Sequence, residues 1–518
     1  MKKTPAKKNT AGEILCGIYL SLLGVALPLT VHHAYFDITR TKATVFWLLS
    51  GALLLASALW LCLDREGRKS FSSFALPDWL FAVFALTHIV STLLFRGSAG
   101  GLLAADNRFQ GILSFALYLG SFMLLRRFGR LSSLVRFALL LGFAVAAALG
   151  VSELFGADLL GLRAVSPEIE LIRFLSTIGN VSFFGALCVL FLPFAAYYAL
   201  SAEDLKTALP YGLCALLALC GGMAARTEGF LLGALCFFAV LPLMSRNETV
   251  LRRVPLLWAS AAAAALLFCL AMRRWALYRP SELTRLVCSG ALLLPFCLLA
   301  ALAFLVLRRA DEGRLLRIRK IYVIVFWALF AALAVFLLLA NTLWREKIPA
   351  SLASVAVFSP SWGTDRGAEW ISFWKMFLAA PLPQKLIGGG AGSVAAWDRA
   401  HRLFSDAVTD SAHNEYLHYL LTGGIVGSGA YLALLVCAVR KALRAPSRGG
   451  TAAALGCVAY AAQAAVNLAQ PFTTPLFFAL LALLLSDGAF EEKRPAPSVF
   501  WYAALCALAV VLLIAAAV

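Results

Sequence analysis

The chain has 518 residues, of which 62% are hydrophobic and only 14% are charged, and its mean hydropathy is +0.85. About a quarter of the residues of a soluble globular protein are charged, so this composition excludes a soluble protein of this length. The formal net charge of +18 would indicate nucleic-acid binding in a soluble chain. In a membrane protein, basic loops on one side of the bilayer explain it, and we expect no nucleic acid among the partners.

Fifteen apolar runs of roughly spanning length follow one another along the chain. They are unbroken rather than alternating, and backbone groups in lipid must satisfy one another, so the runs predict helices rather than a barrel. The expected fold is an all-α polytopic membrane protein with about 12–15 transmembrane helices. The runs lie near 12–31, 43–63, 74–95, 110–125, 134–151, 181–200, 208–224, 229–244, 254–272, 286–307, 321–341, 413–439, 452–468, 473–487 and 499–518.

Basic residues predict the orientation of these helices. The first run follows a lysine-rich start but is longer than the apolar part of a signal peptide, so we interpret it as a retained helix with its N-terminus inside. Alternate loops are then basic, as the positive-inside rule requires. These loops contain Arg65, Arg68, Lys69, Arg126, Arg127, Arg130, Arg136, Arg252, Arg253, Arg308, Arg309, Arg314, Arg317, Arg319, Lys320, Arg440, Lys441, Arg444 and Arg448. A short outer loop with Arg273, Arg274, Arg279 and Arg285 departs from the rule.

One long polar stretch, residues 342–412, is placed outside and divides the chain. It separates N-terminal transmembrane helices (1–341) from C-terminal ones (413–518). From Arg366 it has the pattern of an amphipathic helix, with tryptophan and phenylalanine on one face, as at a membrane interface. Long loops within a compact fold are usually functional, so we expect the site in this extracytoplasmic loop.

Ionisable residues are nearly absent from the middle of the apolar runs. Glu13, Asp78 and Glu153 lie near the ends of theirs. Ion-coupled transporters place carboxylates or histidines at the bilayer midplane, so this pattern argues against a pump or symporter.

Three positions at the predicted outer surface can carry chemistry. His413 opens a long apolar helix, where it is either a general base or a polar interfacial cap. Arg226 lies in a tight turn, where it binds an anion, pairs with Glu228 or extends to the interface. Arg366 shares the aromatic face of its helix, and its partner is either the carboxylate of Asp365 or Glu369 or a lipid phosphate, which guanidinium binds through two oxygens.

Cysteine and glycine patterns indicate no cofactor. All twelve cysteines lie inside apolar runs without a CxxC pair, so we interpret them as small hydrophobic residues and expect no disulfide and no metal. The glycine-rich run 388–392 follows no strand and lacks the GKS or GKT of a nucleotide loop. Gly423 and Gly427 have the spacing of closely packed helices.

Five short motifs, in this order, resemble the O-antigen ligase and O-antigen polymerase superfamily. They are Asn107-Arg108-Phe109-Gln110-Gly111, the segment Ile178-Gly179-Asn180-Val181-Ser182-Phe183-Phe184-Gly185, Arg226, the stretch from Arg366 through Trp370 to Gly388–Gly392, and His413-Asn414-Glu415-Tyr416-Leu417 with Gly423–Gly427. The resemblance covers roughly residues 100–485, with a core at about 180–485, and implies a GT-C-like architecture. Fifteen spans exceed the usual number, and Thr227 follows Arg226 where glycine is commoner.

The resemblance implies a metal-independent glycosyltransferase of the cytoplasmic (inner) membrane, active at its outer face. Its partners would be a glycan donor carried on undecaprenyl diphosphate, a glycan, lipid or protein acceptor, and membrane lipids. The implied roles are general base for His413, diphosphate contacts for Arg226 and Arg366, with Arg108 and Arg163 as weaker candidates for further phosphate contacts, and support by Asn414, Glu415, Tyr416 and Glu228. The motifs do not separate a ligase from a polymerase that joins lipid-linked repeats, and a flippase of lipid-linked oligosaccharides is the alternative from another class.

The predicted orientation is tested by reporter fusions. Alkaline phosphatase fused after Arg345 should be active, because it is exported, and a green fluorescent protein fused after Pro446 should fluoresce inside the cell. The reverse result at both positions would contradict the orientation.

Overall fold

The computed structural model describes residues 10–95, 101–103, 108–164, 173–274, 282–363, 366–401, 409–490 and 498–517. These ranges contain α1 (Thr10–Leu29), α2 (Ile38–Leu63), α3 (Arg65–Phe71), α4 (Leu76–Phe95), α5 (Ile112–Phe128), α6 (Ser133–Leu154), α7 (Val181–Leu200), α8 (Leu205–Ala225), α9 (Glu228–Met244), α10 (Glu248–Arg274), α11 (Glu282–Val287), α12 (Gly290–Arg309), α13 (Glu312–Ala340), α14 (Ala350–Ala356), α15 (Arg366–Ala379), α16 (Leu382–Ile387), α17 (Ser393–His401), α18 (Glu415–Arg444), α19 (Arg448–Ala464), α20 (Thr473–Leu485) and α21 (Val499–Ala517). Strands β1 (Phe174–Leu175) and β2 (Gly179–Asn180) pair antiparallel around a 3-10 turn.

Every predicted apolar run forms a helix, and the chain is an all-α polytopic membrane protein. Eleven of the described helices are long and apolar enough to cross a membrane by length and composition. The runs that fall short are α5, α9, α19 and α20, of 13 to 17 residues. The amphipathic helix predicted from Arg366 is α15. The lysine-rich start, Asn107, Arg279 and Asp365 lie outside the described residues.

Helices α7 and α20 lie at the centre of the bundle, and almost every side chain in them is buried. Helix α7 packs against α8 and α19, α19 packs against α9, and α4 packs against α18. Helices α12 and α13 are equally apolar, but most of their side chains are exposed. A helix that is apolar on all sides is buried in protein or surrounded by lipid, and both cases occur here.

One end of the bundle is held together by basic side chains, and we name it the basic end. Arg126 and Arg127 both bind the buried carboxylate of Asp78, at 2.7 Å for Arg127 Nη2. Other cations donate to carbonyl groups at helix C-termini, which lack partners within their helices. These are Arg253 to Leu200 and Ala202, Lys441 to Leu485 and Ser486, and Arg448 to Tyr198. The opposite side, which carries α14 to α17, is named the loop end.

Helix α18 is interrupted at Gly424, whose φ is 69°. The interruption frees carbonyl groups about 14 Å from the helix start, at a rise of about 1.5 Å per residue. The glycine-rich turn satisfies two of them, since Gly389 N–H donates to the Leu421 carbonyl at 2.8 Å and Gly390 N–H donates to that of Thr422 at 3.1 Å. This turn therefore fastens the long loop to the bundle.

Helices α4 and α18 approach closely at two glycines, as the Gly423–Gly427 spacing predicts. A Cβ on Gly423 would lie 2.2 Å from His88 Cε1, and one on Gly427 would lie 2.4 Å from Thr87 Oγ1. His88, which the sequence analysis did not name, is an ionisable residue inside the apolar run 74–95. It is buried in the second half of α4, where its ring stacks on Phe115.

The close packing is tested by two glycine substitutions in one helix. Gly423→Ala should lower the Tm of the purified protein by several degrees, because overpacking a buried contact costs about 1–3 kcal/mol. Gly429→Ala is the matched control, since no atom lies within 4 Å of its added Cβ. Equal Tm values for the two variants would contradict the packing.

Candidate active site

Three distant parts of the chain meet at the loop end around segment 461–467, which comprises the last turn of α19 and the first residues after it. Arg366 donates from Nη1 to the Val466 carbonyl oxygen at 2.9 Å. Tyr416 donates its hydroxyl to a carbonyl of the same segment at 2.6 Å. A Cβ on Gly229, in the first turn of α9, would lie 3.8 Å from Val466 Cγ2. The starts of α9, α15 and α18 are therefore neighbours.

Arg226 occupies the turn between α8 and α9 in the left-handed conformation, with φ of 55°. Its side chain and that of Glu228 are half-buried. Thr227 caps α9 by accepting a hydrogen bond from Phe230 N–H at 3.4 Å. A Cβ on Gly185 of α7 would lie 2.6 Å from Thr227 Oγ1, so this glycine lets the turn rest directly on the central helix.

His413 is oriented by a carboxylate from another helix. Its Nδ1 lies 3.0 Å from Glu369 Oε2, and Glu369 is on α15, one helical turn after Arg366. Trp370 of the same helix donates its indole N–H to the Ala412 carbonyl at 2.9 Å. A carboxylate acceptor at Nδ1 leaves Nε2 unprotonated in the neutral imidazole. The His413 side chain is 32% exposed, so this nitrogen can be reached from solvent.

The residues after His413 hold the start of α18. Asn414 caps the helix by accepting a hydrogen bond from Leu417 N–H at 3.0 Å. Glu415 is fully buried, and its carboxylate accepts hydrogen bonds from Tyr431 at 2.8 Å and Tyr460 at 3.1 Å. The predicted supporting residues Asn414, Glu415 and Tyr416 thus all fix backbone next to His413.

Arg108 and Arg163 lie in separate ion pairs. The Arg108 Nε and Nη2 atoms contact Asp410 Oδ1 at 2.8 and 2.7 Å. Arg163 Nη1 lies 3.7 Å from Glu153, a carboxylate that also accepts the N–H of Ser176. Asp410 precedes His413 by three residues, so Arg108 borders the site, whereas no described contact joins Arg163 to it.

An apolar cleft of about 610 Å³ opens beside the Arg226 turn, between α8, α9, α10 and α12. Met223, Phe230 and Leu231 line its part nearest the loop end, and Trp258 and Tyr322 lie further towards the basic end. Its volume is in the range of sites that bind small molecules and lipids through apolar surface.

Sequence reasoning proposed the arginines and His413 as site residues but did not predict their partners in the structure. Glu369 was considered as a partner for Arg366 and instead binds His413. Glu369 lies one helical turn after Arg366, and this spacing was the sequence signal that could have identified it as a site residue. His88 was overlooked because a single histidine hardly changes the hydropathy of an apolar run.

A comparison with families of known proteins finds a match to the O-antigen ligase family over residues 286–432. A comparison with curated proteins finds no match. The family match spans α15, the glycine-rich turn, His413 and the interruption of α18. It supports glycan transfer of the ligase or polymerase type, catalysed at a membrane. The match of residues 286–432 to the O-antigen ligase family supports a place in the O-antigen ligase superfamily, and the apolar helices make the chain a multi-pass membrane protein.

Proposed function

We propose that the protein transfers an oligosaccharide or polysaccharide from undecaprenyl diphosphate to an acceptor hydroxyl at the outer face of the cytoplasmic membrane. The observation that carries this proposal is the contact of His413 with Glu369. Glu369 lies on the same helix as Arg366, and an apolar cleft opens at the same end of the bundle. A base, a cation and an apolar surface are the three elements that such a donor and acceptor require.

His413 acts as the general base in this proposal. Glu369 holds Nδ1, and the free Nε2 accepts the proton of the acceptor hydroxyl. The hydroxyl oxygen then forms a bond to the anomeric carbon, and the bond from this carbon to the diphosphate breaks. The leaving undecaprenyl diphosphate keeps the electron pair of that bond, so charge and atoms balance.

Arg226 and Arg366 bind the leaving diphosphate. Arg366 contacts segment 461–467 directly through its Nη1. Arg226 precedes α9, and the first turn of that helix lies against the same segment. Guanidinium groups stabilise the negative charge that grows on the diphosphate, so the reaction proceeds without a metal. Arg108 is the less favoured contact, because Asp410 already neutralises its charge.

The cleft beside Arg226 holds the isoprenoid tail. Its lining is apolar from Phe230 to Tyr322, and an apolar chain is retained in it by burial of surface. A diphosphate at Arg226 and a tail in this cleft lie on one continuous path from the loop end into the bundle.

Ligase and polymerase remain the two forms of the proposal, since they differ only in the acceptor. A ligase uses a lipid or protein acceptor, or a finished glycan, and a polymerase uses another lipid-linked repeat. The flippase alternative requires a charged central cavity. Three cavities of about 630, 300 and 610 Å³ among the described residues are lined almost entirely by apolar side chains, which disfavours it.

The base is tested with purified protein and a lipid-linked glycan donor. His413→Ala should lower the transfer rate by about 10²–10⁴-fold, the usual contribution of a general base. Glu369→Gln keeps a hydrogen-bond acceptor for His413 Nδ1, so its transfer rate should fall much less than that of Glu369→Ala. Full transfer by His413→Ala would exclude the base assignment.

The arginines are tested by charge-conserving replacement. Arg366→Lys keeps the charge but loses the planar fork, so inhibition of transfer by added undecaprenyl diphosphate should weaken by about tenfold or more. Arg345→Lys, in the exposed loop before α14, is the control and should leave inhibition unchanged. Equal inhibition of Arg366→Lys and the wild-type protein would remove Arg366 from the diphosphate site.

A further inference from the structure

A second, smaller cavity of about 30 Å³ lies between α4, the start of α5 and α18. Its lining includes His88, Arg108, Gln110, Asp410 and His418. Asp410 and His418 flank His413 by three and five residues. A cavity of this size has room for about two water molecules or for one hydroxyl-bearing group of a larger ligand.

Two polar side chains that line this cavity are more than nine-tenths buried, and each has one polar atom without a partner among the described residues. His88 is 3% exposed, and its Nδ1 donates to the Phe84 carbonyl at 2.7 Å. A carbonyl cannot donate, so Nδ1 carries the proton, and the unpartnered Nε2 is an acceptor. Gln110 is 7% exposed, its amide nitrogen donates to Tyr118, and its Oε1 is unpartnered.

These unpartnered acceptors require a hydrogen-bond donor in the cavity. A buried polar atom without a partner costs about 1–3 kcal/mol, so two of them next to one cavity indicate that it is built for an occupant. His418 Nδ1 is a third buried nitrogen without a described partner.

The charge of the cavity selects a neutral occupant. The Arg108 guanidinium and the Asp410 carboxylate form an ion pair at the mouth, where they are 25% and 15% exposed. Because these charges cancel, Arg108 does not give the described lining of the cavity an unpaired cation that would attract a diphosphate. Phe115 and Tyr419 add aromatic surface to its wall. Hydrogen-bond acceptors beside aromatic surface suit a sugar, which presents hydroxyl groups and apolar C–H faces.

We propose that this cavity is the acceptor subsite, which receives a hydroxyl-bearing arm of the accepting sugar through His88, Gln110 and His418. The inference rests on the proposed transferase function and adds the chemical class of its second substrate. His413 then lies between the two substrates, with the arginines and apolar cleft on the donor side and the neutral polar cavity on the acceptor side. Arg108 belongs to the acceptor side in this arrangement.

The test measures acceptor saturation with the full-length purified protein. The donor is a lipid extract from cells that lack the active enzyme, and the acceptor is membranes from cells that cannot make the lipid-linked glycan. If the donor extract supports glycan transfer without added membranes, its lipid-linked glycans are also the acceptor, and the amount of extract is varied instead. The variants are Gln110→Leu and His418→Asn, and Gln470→Leu is the control, because Gln470 is also a buried amide, bonded to Thr473 outside the cavity.

Both cavity variants should raise the half-saturating amount of acceptor by about tenfold or more, the loss of one hydrogen bond to a hydroxyl. The maximal rate and the inhibition by undecaprenyl diphosphate should stay within about twofold of the wild-type values, as should every value for the control. An unchanged half-saturation would overturn the inference, since the cavity then holds only water. A reduced maximal rate alone, or weakened inhibition by undecaprenyl diphosphate, would also overturn it. Absence of transfer by the wild-type protein under all conditions would remove the proposed function, and this inference with it.

Discussion

The candidate site depends on the interruption of α18 at Gly424 and on the turn that compensates for it. Backbone carbonyls freed within a membrane protein have no water to bind, so a helix breaks only where another part of the protein supplies donors. Here the donors are the N–H groups of Gly389 and Gly390, helped by the Ser91 hydroxyl, which donates to the Thr422 carbonyl at 2.9 Å. The requirement to satisfy these carbonyls fixes the long loop on the bundle.

With the loop fixed in this way, α15 lies against the first turns of α18. Phe373 of α15 is fully buried in a small apolar cluster with Val394, Ala412 and Leu421. This packing places Glu369 and Arg366 on a rigid helix, and each side chain then contacts a different segment, one at His413 and the other at Val466. The site is thus assembled by apolar packing and by hydrogen bonds, among them those of Glu369 to His413 and of Arg366 to the Val466 carbonyl.

Sequence reasoning predicted the helices, because fifteen long apolar runs leave lipid as the only solvent and helices as the only suitable structure. It also predicted the amphipathic helix at Arg366 and the packing glycines, since both follow from local spacing. It did not predict the Glu369–His413 contact or the Arg108–Asp410 pair, because these join residues 44 and 302 positions apart. The partner of a polar residue at a helix end is decided by tertiary packing, and no periodicity in the sequence records that packing. The roles assigned to Arg226, Arg366, Arg108 and His413 stay predictions.

The central claim is that the protein moves glycans from a lipid diphosphate at the loop end, with His413 as base. Its most direct test is the length of the glycans on undecaprenyl diphosphate in cells whose only copy carries His413→Ala. We expect lipid-linked glycans to accumulate on the outer leaflet, as single repeats for a polymerase or as finished chains for a ligase. If no lipid-linked glycan accumulates, or if it accumulates on the inner leaflet alone, the transferase account is contradicted and a flippase takes its place.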